Sequence, residues 1–387
     1  MSSSLPKRAS VVVIGGGVHG LATAFNLALH KVKDVLVLDA GYWQGGASGR
    51  NGSLIRGGFG SPEWTAFFGF SNRCWMDLSR TLGHNVMFSR RGYTMIAHTG
   101  KTAAMFERAI TVHRDNGVSS CLPGQDGLRR ILPAIDRSTI VGALHLEEGG
   151  IAPHHAAMKA YLAACQERNV AVRYRTRVTG IESSNGRVSA VLVGDSRIET
   201  DTVLIAAGGY SVEVAALAGV ALDGYGMRIE AMALEPIRPL IGPALAIIDK
   251  LCYMHQTPRG EIVGGVEVAE RPRISLNTDL PVLTATARAY IELFPQLAQL
   301  RVLRHWAGLL HITQDFAPLM GEHPALRGLW ISAGWSYGWA GSAGAGVLMA
   351  KAIATGDIDT RIKPFAVDRF DRSRPVHDAA IVLAPFS

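Results

Sequence analysis

The stretch Ser10-Val11-Val12-Val13-Ile14-Gly15-Gly16-Gly17-Val18-His19-Gly20-Leu21-Ala22-Thr23-Ala24 decides the fold. After Ser10, Val11 to Ile14 are continuously apolar and β-branched, so Ser10–Ile14 has the pattern of a strand buried on both faces. The glycines then fit G-x-G-x-x-G. Gly15 permits a tight turn, Gly17 lets backbone approach a pyrophosphate, and Gly20 lets the next helix pack closely on the strand. In that helix Val18, Leu21, Ala22, Phe25 and Leu29 share one face, the spacing of a buried stripe. A second buried strand, Val35–Leu38, completes a βαβ unit with a right-handed crossover. Asp39 closes that strand nineteen residues after Gly20, where a carboxylate can accept hydrogen bonds from an adenosine ribose. A diphosphate is expected at the helix start, beside Val18 and His19, where unpaired N–H groups and the helix dipole favour negative charge.

Outward from this unit, composition narrows the possibilities. The chain has 387 residues, 48% hydrophobic and 18% charged, enough for two domains, or for one large domain with an insertion, without a disulfide or metal staple. Low charge and high apolar content exclude a disordered protein. The 43 glycines follow no G-X-Y period, which excludes collagen. The net charge of +7 is scattered rather than blocked, which speaks for an anionic cofactor and against nucleic acid. Cys74, Cys121, Cys165 and Cys252 form no C-x-x-C pair, so a zinc ribbon or disulfide framework is not expected and a reducing cytoplasm fits. The early apolar run is too short for a signal-peptide core. Residues 329–350 carry no charge and are long enough to cross a bilayer, but five glycines punctuate them, so a strand, a turn and a helix start are expected instead of a membrane span.

Further along, a helix is expected at 157–168 and a strand at 170–174. Strands at 179–183 and 188–193 join through Asn185-Gly186, a hairpin signal. A buried strand at 202–206 ends in Ala207-Gly208-Gly209. Residues 226–300 read as a separate layer with one helix at 283–294. The last third returns to the opening pattern with strand Leu329–Ala333 and a helix at 343–355. Residues 1–9 read as a loose polar tail.

The segment Gly45-Gly46-Ala47-Ser48-Gly49-Arg50-Asn51-Gly52-Ser53 follows the second strand closely. It offers backbone amides, hydroxyls and a guanidinium, more than a nicotinamide domain needs. A flavin dinucleotide can use Ala47, Ser48, Arg50, Asn51, Gly52 and Ser53 to hold phosphates and ring. With this pairing the sequence resembles the FAD-dependent family of D-amino-acid oxidase, glycine oxidase and sarcosine oxidase. Arg304-His305-Trp306-Ala307-Gly308, with Thr313-Gln314-Asp315 and Pro318 to Gly321, resembles that family's R-x-W-x-G…T-x-D-x-x-P-x-x-G stretch. Leu329 to Trp335 and Gly338 to Gly346 resemble its final flavin-contacting turn and helix. Within the family the chain is most similar to the β subunit of heterotetrameric sarcosine oxidase, through His19 to Ala24, Arg50-Asn51 with Ser53 to Arg56, Phe88 to Gly92 and Gly150 to His154. The likeness spans about residues 10–375.

The resemblance implies an α/β fold. A discontinuous Rossmann-type FAD-binding domain is expected at 10–85, 145–225 and 300–375, and an α+β substrate domain on a mixed sheet at 86–144 and 226–299. It adds Val178, Ala207, Gly208, Gly334, Gly338, Trp339, Ala340 and Gly341 to the flavin contacts. It gives Arg56 to the substrate carboxylate, which a planar, permanently charged guanidinium suits; a surface role or a flavin-phosphate contact is the other reading. Relatives often carry a lysine in the C-terminal turn, where this chain reads Gly338-Trp339-Ala340, so Trp339 and Ala340 should make an apolar pocket. Monomeric relatives use another lysine for reaction with oxygen. The matching stretch Glu261-Ile262-Val263-Gly264-Gly265 has none, which points to a dehydrogenase rather than an oxidase. In the β subunit the histidine matching His154 carries covalent FMN, shared with a large α subunit. His305, His311 and His323 lack metal-ligand spacing, and a core position explains them as well as a base does.

The activity implied is oxidation of a secondary amine or N-substituted amino acid (sarcosine-, proline- or opine-like), in a complex with a larger α subunit and small accessory subunits. A homomeric D-amino-acid or glycine oxidase-like enzyme, and a non-catalytic flavin-binding scaffold or electron-relay subunit, are the alternatives.

Overall fold

Strand Val11–Ile14 lies inside a six-stranded sheet of order Leu319–Glu322, Leu329–Ala333, Val203–Ile205, Val11–Ile14, Val35–Leu38, Ala171–Arg173. All neighbours run parallel except Leu319–Glu322, which is antiparallel at one edge. The computed structural model describes residues 5–266 and 274–378. Side chains alternate across the sheet. Val11, Val13, Val35 and Val37 pack under helices Val18–Leu29, Pro62–Leu82, His154–Glu167 and Gly338–Thr355. Val12, Ile14, Leu36 and Leu38 pack against Ile181, Val188, Val191 and Ile198 of a three-stranded antiparallel sheet, Gly180–Ser184, Arg187–Val193 and Ser196–Glu199. Continuous apolar strands are thus covered on both faces. The hairpin expected at Asn185-Gly186 forms, with both residues at positive φ (53° and 71°), the signature of a type I′ turn.

Helix Pro62–Leu82 starts with Ser61 accepting from the Trp64 N–H and with Pro62 in its first turn; it stops at left-handed Gly83 (φ 74°), the expected chemistry at both ends. Helix Gly338–Thr355 starts five residues before the expected start. Its glycines lower intrinsic propensity, but small residues let it lie close on its neighbours: a Cβ on Gly346 would stand 2.5 Å from the Ala22 Cβ. Packing therefore overrides propensity. Among the described residues no helix is long and apolar enough to cross a membrane.

A second, eight-stranded sheet has the order Val302–Ile312, Tyr225–Leu234, Ile262–Val266, Cys252–Gln256, Ala244–Ile247, Tyr93–Ala97, Gly142–Leu146, Ser120–Cys121. Two strands pair across the expected domain boundaries. Val302–Ile312, expected with the flavin-binding part, pairs along its length with Tyr225–Leu234. Gly142–Leu146, which crosses the expected boundary at 145, pairs with Tyr93–Ala97. The N-terminal reading also changes. Residues 1–4 lie outside the described residues, but Lys7 and Ala9 exchange backbone hydrogen bonds with Glu199 (2.9 Å each), so this stretch adds to a sheet edge rather than trailing free.

The T-x-D-x-x-P stretch has a structural cause. The buried Asp315 carboxylate takes two charge-assisted bonds from Arg369 (2.8 and 2.6 Å) and one from the Val376 N–H (2.7 Å). It ties the last described segment to the turn before Leu319–Glu322.

Candidate functional site

A continuous cleft runs from the Gly15–His19 turn, past the loop at 44–54 and Ala206 to Gly208, to the start of helix Gly338–Thr355. At its first end the glycines are forced by space. Gly15 has φ 118°, and a Cβ there would overlap the Ala206 carbonyl; a Cβ on Gly20 would overlap the Gly15 carbonyl. Gly17 is different. Its φ is an ordinary −76°, and a Cβ would meet only Ser48 Oγ, at 3.0 Å, so the missing side chain leaves a cradle over the helix start. Ser48 Oγ accepts from the Val18 N–H (2.9 Å). Asp39 accepts from the Gly16 N–H and the Gly41 N–H, one on each oxygen (2.7 Å), and each oxygen keeps a lone pair for a ribose hydroxyl. Tyr174, which the sequence did not single out, donates its hydroxyl to the Gly16 carbonyl (3.0 Å) and lines the cleft. Cradle, helix start and carboxylate suit the diphosphate and ribose of FAD.

Loop 45–53 is braced from within. Asn51 donates to the Ser48 carbonyl (2.7 Å) and accepts from the Ser53 N–H (2.7 Å). The Arg50 guanidinium, expected to grip the cofactor, bonds to the carbonyls of Gly45 (2.9 Å) and Ala307 (3.2 Å) and to the Tyr42 hydroxyl (3.2 Å). Arg50 lines the cleft while pinning the loop to the edge strand of the second sheet. Ala47, Gly52 and Ser53 line it too, as do Ala207 and Gly208.

Five strand positions away, Arg56 packs on Met95 and Tyr93 of strand Tyr93–Ala97. Arg56 is only 2% exposed. Its guanidinium lies 4.0 Å from the Phe59 ring centre, 4.8 Å from Tyr337 and 5.5 Å from Tyr93. Arg56, Tyr93 and Tyr337 line the cleft with Gly338, Trp339 and Ala340. Trp339 is held by its indole N–H on the Ala152 carbonyl (3.2 Å) and Ala340 by Ser71 Oγ (2.6 Å). An apolar, aromatic chamber with one buried cation suits a carboxylate bound away from water.

Four expected contacts lie off the lining. Gly20 and Gly341 serve helix packing, a Cβ on Gly341 meeting the Trp335 ring at 2.7 Å. Gly334 makes a left-handed turn (φ 70°) and Val178 sits in the core beneath the six-stranded sheet. Gly334 and Gly341 shape the turn at this end of the cleft from behind.

The histidines divide by partner. His311 donates from Nε2 to the Asp223 carbonyl (2.8 Å) and accepts at Nδ1 from the Gly334 N–H (2.9 Å); its Nε2–H tautomer joins the second sheet to that turn. His19 stacks on Trp335 at 4.1 Å and donates to the Gly338 carbonyl (2.9 Å). His305 pairs with Glu230 (2.8 Å), which also faces Arg228 (3.2 Å) in a buried ionic network. His323 bonds to the Ala221 carbonyl (3.0 Å). Among the described residues no group of three His, Cys, Asp or Glu could hold a metal. Burial pushes His19 down to about 3, and His113, His255 and His311 to about 4. Such depressed values stabilise the fold fully above the unfolded value near 6.5, and the stabilisation is lost as pH falls toward 4, because the unfolded chain binds the protons. The urea midpoint should therefore drop steeply between pH 6.5 and 4; a flat midpoint there would contradict this.

His154 is the first residue of helix His154–Glu167 and lies outside the cleft lining. Its Nδ1 is 3.3 Å from Ser53 Oγ, across the loop that forms the cleft wall. Burial first, then His155 and Arg304, lower its pKa and keep the imidazole neutral.

Residues 10–352 match the family described as DAO: FAD dependent oxidoreductase. The chain is 31% identical to sarcosine oxidase subunit beta of Rhodobacter capsulatus over 90% of this chain and 86% of that one. It is 27% identical to glycine oxidase of Pseudomonas putida, over 84% and 88%. Among solved structures, L-proline dehydrogenase from P. horikoshii superposes with a TM-score of 0.91 at 25% identity, covering 96% of this chain and all of the other.

Proposed function

Because the chain belongs to the DAO family of FAD dependent oxidoreductases, we propose that it oxidises a secondary amine or N-substituted amino acid as the β-type catalytic subunit of a larger complex. FAD-dependent oxidation of amines or amino acids is the activity of the family. The observation that carries the finer reading is the buried Arg56, set among Phe59, Tyr93 and Tyr337 in the cleft that begins at the glycine turn. Bound FAD supplies the hydride acceptor. Gly15 to Val18, Asp39 and Ser48 would hold it, and the start of helix Gly338–Thr355 would favour negative charge on its ring. Arg56 fixes the substrate carboxylate. Tyr93, Tyr337 and Trp339 exclude water and leave an apolar space for the substituent on nitrogen. A neutral amine needs orientation here rather than a general base. The imine product hydrolyses after release.

An assay with an artificial electron acceptor tests the substrate class: turnover should rank secondary amino acids above primary ones, and the reverse order would favour a glycine oxidase-like enzyme. The intact complex expected from the similarity to sarcosine oxidase subunit beta should be used.

Oxygen should be a poor acceptor. Strand Ile262–Val266 carries no lysine, and Gly264 and Gly265 leave no room for one: a Cβ would overlap the Tyr253 and Glu230 carbonyls respectively. Stopped-flow mixing of reduced protein with oxygen should give reoxidation far slower than turnover; peroxide formation at the turnover rate would overturn the dehydrogenase reading.

A neutral His154 imidazole, with Nδ1 3.3 Å from Ser53 Oγ, would offer Nε2 to FMN shared with a partner subunit; the link would replace a C–H bond of the flavin's methyl group, the two electrons passing to the flavin and on to its acceptor. Mass analysis of the His154 peptide from the denatured complex should show added FMN. An unmodified peptide from an active, FMN-containing complex would exclude the covalent link. A cytoplasmic setting accords with this reading.

A further inference from the structure

We propose that His113 is a positioning residue for Arg56, acting through Phe59. The inference rests on Arg56 as the carboxylate-binding group. His113 comes from helix Gly100–Asp115, far from Arg56 in sequence, and is fully buried. Its Nε2 lies 2.9 Å from the Phe59 carbonyl and its Nδ1 2.9 Å from Ser120 Oγ. A carbonyl only accepts, so Nε2 carries the proton and Nδ1 accepts from the serine hydroxyl. That hydrogen bond holds the backbone of Phe59, whose ring supports the Arg56 guanidinium at 4.0 Å. The contact is tight as well as polar: a Cβ on Gly58 would stand 2.7 Å from the His113 ring. Thr65 bonds to both the N–H and the carbonyl of Phe59 (3.2 and 2.9 Å). It fixes the residue from the helix Pro62–Leu82 side, and His113 fixes it from the second sheet's side. His113 thereby couples the substrate-side layer to the height and plane of the guanidinium.

The test uses the FAD-loaded protein and acetate, a carboxylate without an amine, read through the visible spectrum of the bound flavin. His113→Phe keeps the ring volume and removes the hydrogen bond. It should weaken acetate binding and raise KM about fivefold, the loss of one neutral hydrogen bond, with kcat and FAD content unchanged. His113→Gln, which restores an N–H donor, should recover most of the loss. Phe59→Leu, which removes the supporting ring, should weaken acetate in the same way and decides the matter should His113→Phe not fold. Arg56→Ala is measured in parallel. Acetate binding lost in Arg56→Ala but retained in His113→Phe or Phe59→Leu overturns the positioning role alone. Acetate binding retained in Arg56→Ala overturns the carboxylate reading of Arg56, and this inference with it.

Discussion

Gly17→Val is expected to fold normally and to purify without FAD. Backbone at Gly17 is in a region any residue adopts, and a Cβ would meet only Ser48 Oγ, at 3.0 Å. The fold therefore tolerates the change. The side chain would instead fill the cradle over the helix start, where a diphosphate must approach the N–H groups. Affinity for FAD should fall by on the order of a hundredfold or more, roughly 3 kcal/mol. Gly20→Val is the contrasting control. Its Cβ would overlap the Gly15 carbonyl, so it should fail to give folded protein at all. Flavin occupancy, from absorbance against protein mass, together with circular dichroism, separates the two outcomes. Full occupancy in Gly17→Val would remove the diphosphate from this turn.

Arg56→Ala should raise KM for an amino-acid substrate by about 2–5 kcal/mol of lost binding, the cost of breaking a buried charge pair, while FAD content stays near that of the parent. Arg56→Lys should recover little, because a point charge on a flexible stem cannot reproduce a planar, two-pronged contact stacked on Phe59. Steady-state kinetics with flavin content measured on the same samples checks both. An unchanged KM would make Arg56 a structural cation.

The βαβ unit and its glycines were legible because every signal in them is local: β-branched runs, one helical face and a turn with fixed spacing. Asp39 followed from position alone. Arg56 could be placed only through the family likeness, since its aromatic surroundings come from three separate segments, around Phe59, Tyr93 and Tyr337. Tyr174, His113 and Phe59 carried no pattern of their own. Tyr174 reaches Gly16 only because Ala171–Arg173 pairs with Val35–Leu38. The sheet to which Val302–Ile312 belongs was hidden for the same reason. Its partner strand, Tyr225–Leu234, lies about eighty residues earlier, and the apolar pattern does not say which sheet it joins. Gly334 and Gly341 entered only through the family likeness, since glycine near a ligand and glycine in a close helix crossing look alike in sequence.

Anaerobic titration of the FAD-loaded complex with a panel of secondary amino acids tests the central claim most directly. The account predicts bleaching of the oxidised flavin band by at least one of them, to the extent reached with dithionite, and loss of that bleaching at low substrate in Arg56→Ala. A flavin that dithionite reduces but that stays oxidised with every amine and amino acid would contradict it, leaving a flavin-binding scaffold or relay subunit as the reading.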